Sequence, residues 1–294
     1  MTDQLSTAGA PRATRLDPGL YLVATPIGAA RDITLRALDI LASADVIAAE
    51  DTRTARKLME IHGIAVAGRP LIAYHDHSGP GARDKLAATV EAGKSVAYVS
   101  EAGTPLVADP GYQLARGMID AGLPVIAAPG ASAVLAALSV SGLPSDRFLF
   151  AGFPPQAKGA MATWLKDLAP IGATIILYES PRRVHRLLDV LADSFGADRQ
   201  MALCRELTKR FEEVLRGTVD EVRHAITDRT LKGEIVVVIG KGAPVQASAE
   251  TLDDALRAAL ATLSVKDAAA QVAKDLGLPK RDVYQAALKR EKDG

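Results

Sequence analysis

The sequence predicts an α/β protein with a mainly parallel sheet first, a mixed sheet second and a small helical appendage last. Three observations carry this prediction. From residue 19 onward strand-like and helix-like patterns alternate, as parallel strands joined by crossover helices require. Beyond residue 174 the apolar runs 200–205 and 213–217 follow one another with no helix between them, which implies a partly antiparallel sheet. Beyond residue 250 only helical patterns remain.

Residues 19–25 read as a short apolar strand, and Ile33, Leu38, Ile40 and Leu41 lie at helical spacing over 33–41. Strand returns at 46–49, helix at 54–62 and strand at 70–74. A helix over 83–92 stops at Gly93, and the buried strand 95–99 runs into Ser100-Glu101-Ala102-Gly103-Thr104-Pro105, then Ala108-Asp109-Pro110-Gly111. Small residues there let the backbone approach a ligand, and the prolines stiffen the loop. A plain stiff connection has the same composition. A helix over 113–121, closed by Gly122, leads to a strand at 124–127, after which Pro129-Gly130-Ala131-Ser132-Ala133 opens an Ala-rich helix.

Residues 147–155, ending in Phe153-Pro154-Pro155, close the first unit. The second has strands at 174–178, 200–205, 213–217 and 234–239, with helices at 182–195 and 218–227. Residues 240–248 read as a linker. Three amphipathic helices follow at 251–263, 266–276 and 280–291; Gly277-Leu278-Pro279 joins the last two with helix-turn-helix spacing. The division expected is a disordered tail (1–18), an α/β domain (19–150), a second α/β domain (151–242) and a helical appendage (250–294).

Composition limits the function. Lys plus Arg and Asp plus Glu number 35 each, so no global positive field exists to coat nucleic acid, and any such partner must be held by local basic patches. The single cysteine, Cys204, excludes an intramolecular disulfide and a cysteine-built zinc site, and it lies in an apolar run that fits a reducing cytoplasm. No apolar stretch reaches the roughly eighteen residues of a membrane span. The chain carries no P-loop, no Gly-x-Ser-x-Gly elbow and no His-Glu-x-x-His helix. His75-Asp76-His77 has two imidazoles but no third ligand, so no metal is expected.

What remains is a set of loops at strand ends, where open α/β sheets bind ligands. Thr25-Pro26-Ile27-Gly28, Glu50-Asp51-Thr52-Arg53, the Ser100 loop and Pro129-Gly130-Ala131-Ser132-Ala133 converge if the sheet is parallel. Two are small and neutral and suit a cofactor, whereas Glu50, Asp51 and Arg53 suit a substrate side.

The ordered blocks Thr-Pro-Ile-Gly, Glu-Asp-Thr-Arg, Ser-Glu-Ala-Gly-Thr-Pro, Asp-Pro-Gly, Pro-Gly-Ala-Ser-Ala, Tyr-Glu-Ser-Pro, Arg-Glu-Leu-Thr-Lys and Gly-Glu-Ile-Val resemble the ribosomal RNA small subunit methyltransferase I branch of the tetrapyrrole methylase superfamily. The resemblance covers about residues 19–240, and the helical tail is similar to that branch's C-terminal appendage. It implies a two-domain tetrapyrrole-methylase-like fold, S-adenosylmethionine as methyl donor, a homodimer, and 2′-O-methylation of a cytidine ribose in the decoding region of 16S rRNA, within the small ribosomal subunit. Carried onto this chain, the cofactor side falls on Ala102, Gly103, Thr104, Val107, Ser132, Ala133, Tyr178, Glu179 and Glu234. Candidates to activate the ribose hydroxyl are Glu50, Asp51, Glu101, Glu179 and Lys209, and candidates to meet RNA are Pro26, Arg31, Arg53, Arg182, Arg183, Lys280 and Arg281.

Each has a plainer reading. Glu50 and Asp51 suit a helix N-terminus, as does Ser132. Glu206 and Lys209 suit a surface ion pair, Arg182, Arg183 and Arg186 a solvated helix start, and the tail a bundle packed on the rest. The chain also departs from the family, with Glu101 where Asp is usual, Ala29 where Asn is usual, and Arg182-Arg183 where His-Arg is common. Two other readings stand beside RNA methylation: a methyltransferase acting on a tetrapyrrole such as a precorrin or uroporphyrinogen, and a regulator that senses S-adenosylmethionine and reads DNA through its tail.

Overall fold

The computed structural model describes residues 11–75, 78–242, 249–276 and 278–293. Its first part runs β1 (Gly19–Val23), α1 (Leu35–Ser43), β2 (Val46–Ala49), α2 (Thr52–Ile61), β3 (Leu71–Ala73), α3 (Pro80–Glu91), β4 (Ser95–Val99), α4 (Tyr112–Asp120), β5 (Val125–Ala128) and α5 (Ala133–Ser141). The five strands form a parallel sheet in the order β3-β2-β4-β1-β5. β2 and β4 are buried at every position, so they are continuous apolar runs with no alternation, as a sheet covered on both faces demands. Leu38, Leu41, Ile47 and Met59 pack on one face; Leu20, Tyr98, Leu114 and Met118 pack on the other. Connections from β1 and β4 leave in opposite directions, so the ends of these neighbours make a switch point where a crevice opens.

The second part runs β6 (Phe148–Gly152), α6 (Lys158–Leu168), β7 (Thr174–Glu179), α7 (Val184–Phe195), β8 (Gln200–Arg205), β9 (Glu213–Thr218), α8 (Val219–Ile226) and β10 (Ile235–Ile239). Its sheet has the order β6-β7-β10-β8-β9, parallel only at β6–β7 and antiparallel elsewhere. Met161, Leu165, Ile175, Leu187, Leu203 and Val237 belong to the core on one face. The other face is covered by α5, whose Val134, Ala137 and Leu138 meet Ile176, Cys204 and Val238. A helix that follows the last strand of the first sheet therefore closes the core of the second, and the two halves share one packed seam.

The structure differs from the sequence reading at three places. The segment expected to close the first unit forms β6, the edge strand of the second sheet, only partly buried and bulged at Gly152, whose φ is +74°. α6 was assigned no element; it buries Met161 and Leu165, an i,i+4 pair on one stripe. Of the expected N-terminal tail, residues 1–10 lie outside the described residues, but the following stretch is docked: Arg12 N–H donates to Asp39 Oδ1 (2.7 Å), Thr14 N–H donates to Ser43 Oγ (2.9 Å), and Leu16 packs on the core beneath α1.

The last part, α9 (Ala249–Leu260), α10 (Val265–Leu276) and α11 (Lys280–Asp293), has its own core of Leu256, Ala269, Val272, Val283 and Ala287, and Arg290 of α11 pairs with Asp253 of α9. Gly277 of the expected turn, and Asp76 and His77 of the His75-Asp76-His77 motif, lie outside the described residues. Among the described residues no helix is long and apolar enough to cross a membrane.

Candidate active site

The loops after β1 and β4 are tied at the switch point. Thr25 and Gly103 exchange two backbone hydrogen bonds (2.9 and 3.1 Å), which needs Gly103 at φ +82°, a conformation glycine adopts without a Cβ penalty. Ser100 Oγ donates to Gly103 O (3.0 Å), and Thr104 Oγ1 donates to Ala131 O (2.9 Å), binding the β4 loop to the β5 loop. Opposite stand the end of β7 and the start of β10, where Tyr178 pairs with Val236 and Glu179 with Ile235. Between these walls lies a cavity of about 630 Å³, a size typical of small-molecule sites.

All nine residues expected on the cofactor side line this cavity. Glu101 and Lys209 also reach it, and Pro26 does among the RNA candidates. Others do not. Glu50 stands behind the wall, where its Oε2 accepts Glu101 N–H (3.2 Å). Asp51 is the N-cap of α2: it accepts Arg53 N–H (2.7 Å) and pairs with the exposed Arg53 guanidinium (2.8 Å), whose hydrogen bonds hold its carboxyl down at about 2. Arg31 lines a neighbouring hollow of about 500 Å³, while Arg182, Lys280 and Arg281 are exposed. Ser132 is the N-cap residue of α5 without a side-chain capping bond, so its hydroxyl is left to the cavity.

Arg183 has a different role from the one its sequence suggested. Its guanidinium donates to both oxygens of Glu179 (2.7 and 2.9 Å) and to Pro154 O (2.7 Å). The Glu179 carboxylate is 1% exposed, so the pair is an internal tie between β7, α7 and the turn after β6, and it serves neither as a free base nor as a phosphate clamp.

Lys209 is likewise committed. Its Nζ donates to Glu206 Oε1 (2.9 Å) and Glu234 Oε2 (2.8 Å); burial alone would weaken its hold on the proton, but these two carboxylates outweigh it and raise its pKa. It stays an ammonium, which rules it out as a base. The turn carrying it meets the β1 loop: Thr208 Oγ1 accepts Ala29 N–H (3.1 Å), and a Cβ on Gly28 would come within 2.5 Å of Lys209 Cγ. Here only glycine permits the approach.

Asp109 and Phe153 are among the wall residues that carried no assignment from sequence. Asp109 lines the cavity, and burial, then the charge of Glu50, pushes its carboxyl up to about 7 despite a hydrogen bond from Ser100; Glu101 and Glu234 push the same way. Burial and Asp109 in turn push Tyr178 up to about 12. Phe153 stands at the wall 57% exposed, its ring 5.5 Å from that of Tyr178, which also meets Phe150 at 4.8 Å. The Asp-Pro-Gly turn and the Phe-Pro-Pro segment were visible signals, but only the fold brings them to one cavity.

The first 205 residues of the α/β portion, 19–223, match the family model for Tetrapyrrole (Corrin/Porphyrin) Methylases. The chain belongs to the tetrapyrrole methylase family. Residues 246–291 match a second model, the RsmI C-terminal HTH domain. The chain is 47% identical over 280 residues to ribosomal RNA small subunit methyltransferase I of Mesorhizobium japonicum, covering 94% of this chain and 93% of that one. It is 42% identical to the protein of the same name from Synechocystis sp., covering 94% and 99%. Among solved structures, uroporphyrin-III-C-methyltransferase from Thermus thermophilus superposes with a TM-score of 0.54 at 22% identity, covering 76% of this chain and 94% of that chain.

Members of this family are methyltransferases that use S-adenosylmethionine. The cavity fits that group. Ile27, Val107 and Val236 offer apolar walls, Ala102, Gly103 and Ala133 let a ligand come close to the backbone, and the carboxylates of Glu101 and Glu234 suit a ligand bearing positive charge.

Proposed function

We propose that this methyltransferase acts on the RNA of the small ribosomal subunit, placing a methyl group on the 2′ oxygen of a cytidine in the decoding region of 16S rRNA. The observation that carries the reading is the match to the rRNA enzymes along 94% of the chain, helical appendage included, whereas the uroporphyrin enzyme matches 76%. The working setting is the cytoplasm, and the working form a homodimer. Exposed Leu35 on α1 and Leu135 on α5, 64% and 52% accessible, supply apolar surface for a second copy.

Bound S-adenosylmethionine supplies an electrophilic methyl carbon on a sulfonium. The chain's own part is placement: the Thr25–Gly103 tie and the Thr104–Ala131 bond hold the cofactor side rigid, so the reacting groups meet in line with little further ordering. Phe153 offers an exposed ring on which an unstacked base can lie, since single-stranded RNA is commonly read that way. Arg31 beside the cavity, exposed Arg182, and Lys280 and Arg281 on α11 offer positive charge to phosphates, which supports the reading.

The test is incubation with methyl-labelled S-adenosylmethionine and, separately, small ribosomal subunits, naked 16S rRNA and uroporphyrinogen. Label on a cytidine 2′ oxygen of the subunit is expected. Label on the tetrapyrrole, or on none of the three, would overturn the proposal.

A further inference from the structure

The acids around the cavity differ in what already holds them. Glu179 is bound by Arg183 through both oxygens, Glu234 by Lys209, and Glu50 by the Glu101 backbone. Glu101 and Asp109 have no ion pair among the described residues; Glu101 is exposed, whereas Asp109 is half-buried in the wall with a hydrogen bond from Ser100. Its backbone is set with some strain. Leu106 and Ala108 take left-handed conformations (φ +72° and +57°), and Gly111 takes φ +112°. The turn is fastened to fully buried Tyr98, whose hydroxyl donates to Pro110 O (3.0 Å); a Cβ on Gly111 would come within 2.6 Å of the Tyr98 ring. Non-glycine residues kept left-handed mark places where the surroundings dictate a side chain's position, and here the side chain so placed is a carboxylate facing a ligand cavity.

We infer that Asp109 is the proton acceptor for the hydroxyl that is methylated, an inference that rests on the ribose methylation proposed above. A ribose hydroxyl is a weak nucleophile at neutral pH, so its proton must leave as the new bond forms. The oxygen–carbon bond forms as the sulfur–methyl bond breaks, and the sulfur keeps that electron pair. The hydroxyl proton passes to an Asp109 carboxylate oxygen and then to water as the product leaves. No other reactant is needed. The groups facing Asp109 are Glu50 after β2, Glu101 in its own loop, Tyr178 on β7, and Glu234 before β10 with its partner Lys209. Burial, with the charges of Glu50, Glu101 and Glu234 adding to it, raises its affinity for a proton into the neutral range, where a base accepts readily and about half of it is ionised.

The experiment is single-turnover methyl transfer to small subunits by the full-length protein from about pH 5.5 to about pH 9, for wild type, Asp109→Asn and Asp109→Glu. The wild-type rate should rise about tenfold per pH unit and level off near neutrality. Asp109→Asn should lower it by about 10²–10⁴-fold and flatten the profile, with S-adenosylhomocysteine and subunit affinities within about threefold of wild type. Asp109→Glu should keep a pH-dependent rate. An Asp109→Asn rate within about tenfold of wild type with an unchanged profile would overturn the inference alone, as would a wild-type profile with no inflection near neutrality. Wild type that labels no RNA would overturn the substrate reading, and the inference with it.

Discussion

Arg183→Ala separates a structural tie from an RNA contact. The change removes a guanidinium that is 20% exposed from a carboxylate that is 1% exposed, leaving Glu179 charged, buried and reduced to the Ser180 N–H (2.7 Å) as partner. Breaking a buried pair from one side costs about 3–5 kcal/mol; the partial exposure of Arg183 admits some water, which places the expectation near about 3 kcal/mol. Trp164, the chain's single tryptophan, packs on the same core as β7 and α7, so its fluorescence during urea unfolding reports the affected region. Removing both partners together, as Glu179→Leu with Arg183→Met, should recover most of the loss, because no charge is then left buried. A loss below about 1 kcal/mol for Arg183→Ala, accompanied by weaker RNA binding, would refute the structural assignment and restore the phosphate contact.

Four further outcomes are expected. Ser95→Ala removes the hydroxyl that donates to Asp45 Oδ2 (2.8 Å) and accepts Asp45 N–H (3.1 Å), costing about 1–2 kcal/mol at neutral pH. The Ser95 backbone and hydroxyl hold the Asp45 carboxyl below its usual value, so that stabilisation is present above about pH 4 and fades as pH falls through the folded value; the gap between variant and wild-type Tm should narrow in acid, and a constant gap would refute this. Gly28→Ala should weaken S-adenosylhomocysteine binding about tenfold by calorimetry, because its Cβ would lie 3.1 Å from Leu207 O and the backbone turn bearing Lys209 must move; a change below about twofold would mean that it yields elsewhere. Phe153→Ala should lose about 1–3 kcal/mol of RNA affinity with cofactor affinity intact, and Phe153→Trp should retain it; equal losses for both ligands would remove the stacking role. Deleting residues 246–294 should weaken binding to small subunits and spare cofactor affinity, and unchanged affinity for the particle would refute a role in RNA docking.

The strands of the parallel sheet were legible because each is an unbroken apolar run, and the convergence of their loops followed from direction alone. β6 was not, because a half-exposed strand beside two prolines carries neither a buried run nor clean alternation. The cofactor wall was legible through the order of its motifs, whereas the charged residues were assigned less well. Glu50, Asp51, Arg183 and Lys209 were each identified as a charge near a loop. What a charge does depends on the partner that tertiary packing supplies: Arg53 had claimed Asp51, Glu179 had claimed Arg183, Glu206 and Glu234 had claimed Lys209, and the Glu101 backbone had claimed Glu50. Asp109 went unassigned for the converse reason: its significance lies in its burial, in the charges around it and in having no ion pair among the described residues, which no local pattern records.

The two departures at positions 29 and 101 differ in consequence for the same reason. At Ala29 the contact present in the fold is made by the backbone N–H, which donates to Thr208 Oγ1, so a loss of side-chain amide leaves the join between the two halves in place. At Glu101 the backbone N–H is held by Glu50, but the side chain lines the cavity and its charge acts on Asp109. One methylene more or less there moves a negative charge relative to another carboxylate, and the proton affinity of Asp109 follows that distance. Glu101→Asp should therefore shift the inflection of the methyl-transfer pH profile while leaving S-adenosylhomocysteine affinity within about threefold, and Ala29→Asn should not shift it. An inflection unmoved by Glu101→Asp would mean that burial and Glu50 set the Asp109 carboxyl and that the charge of Glu101 is screened out.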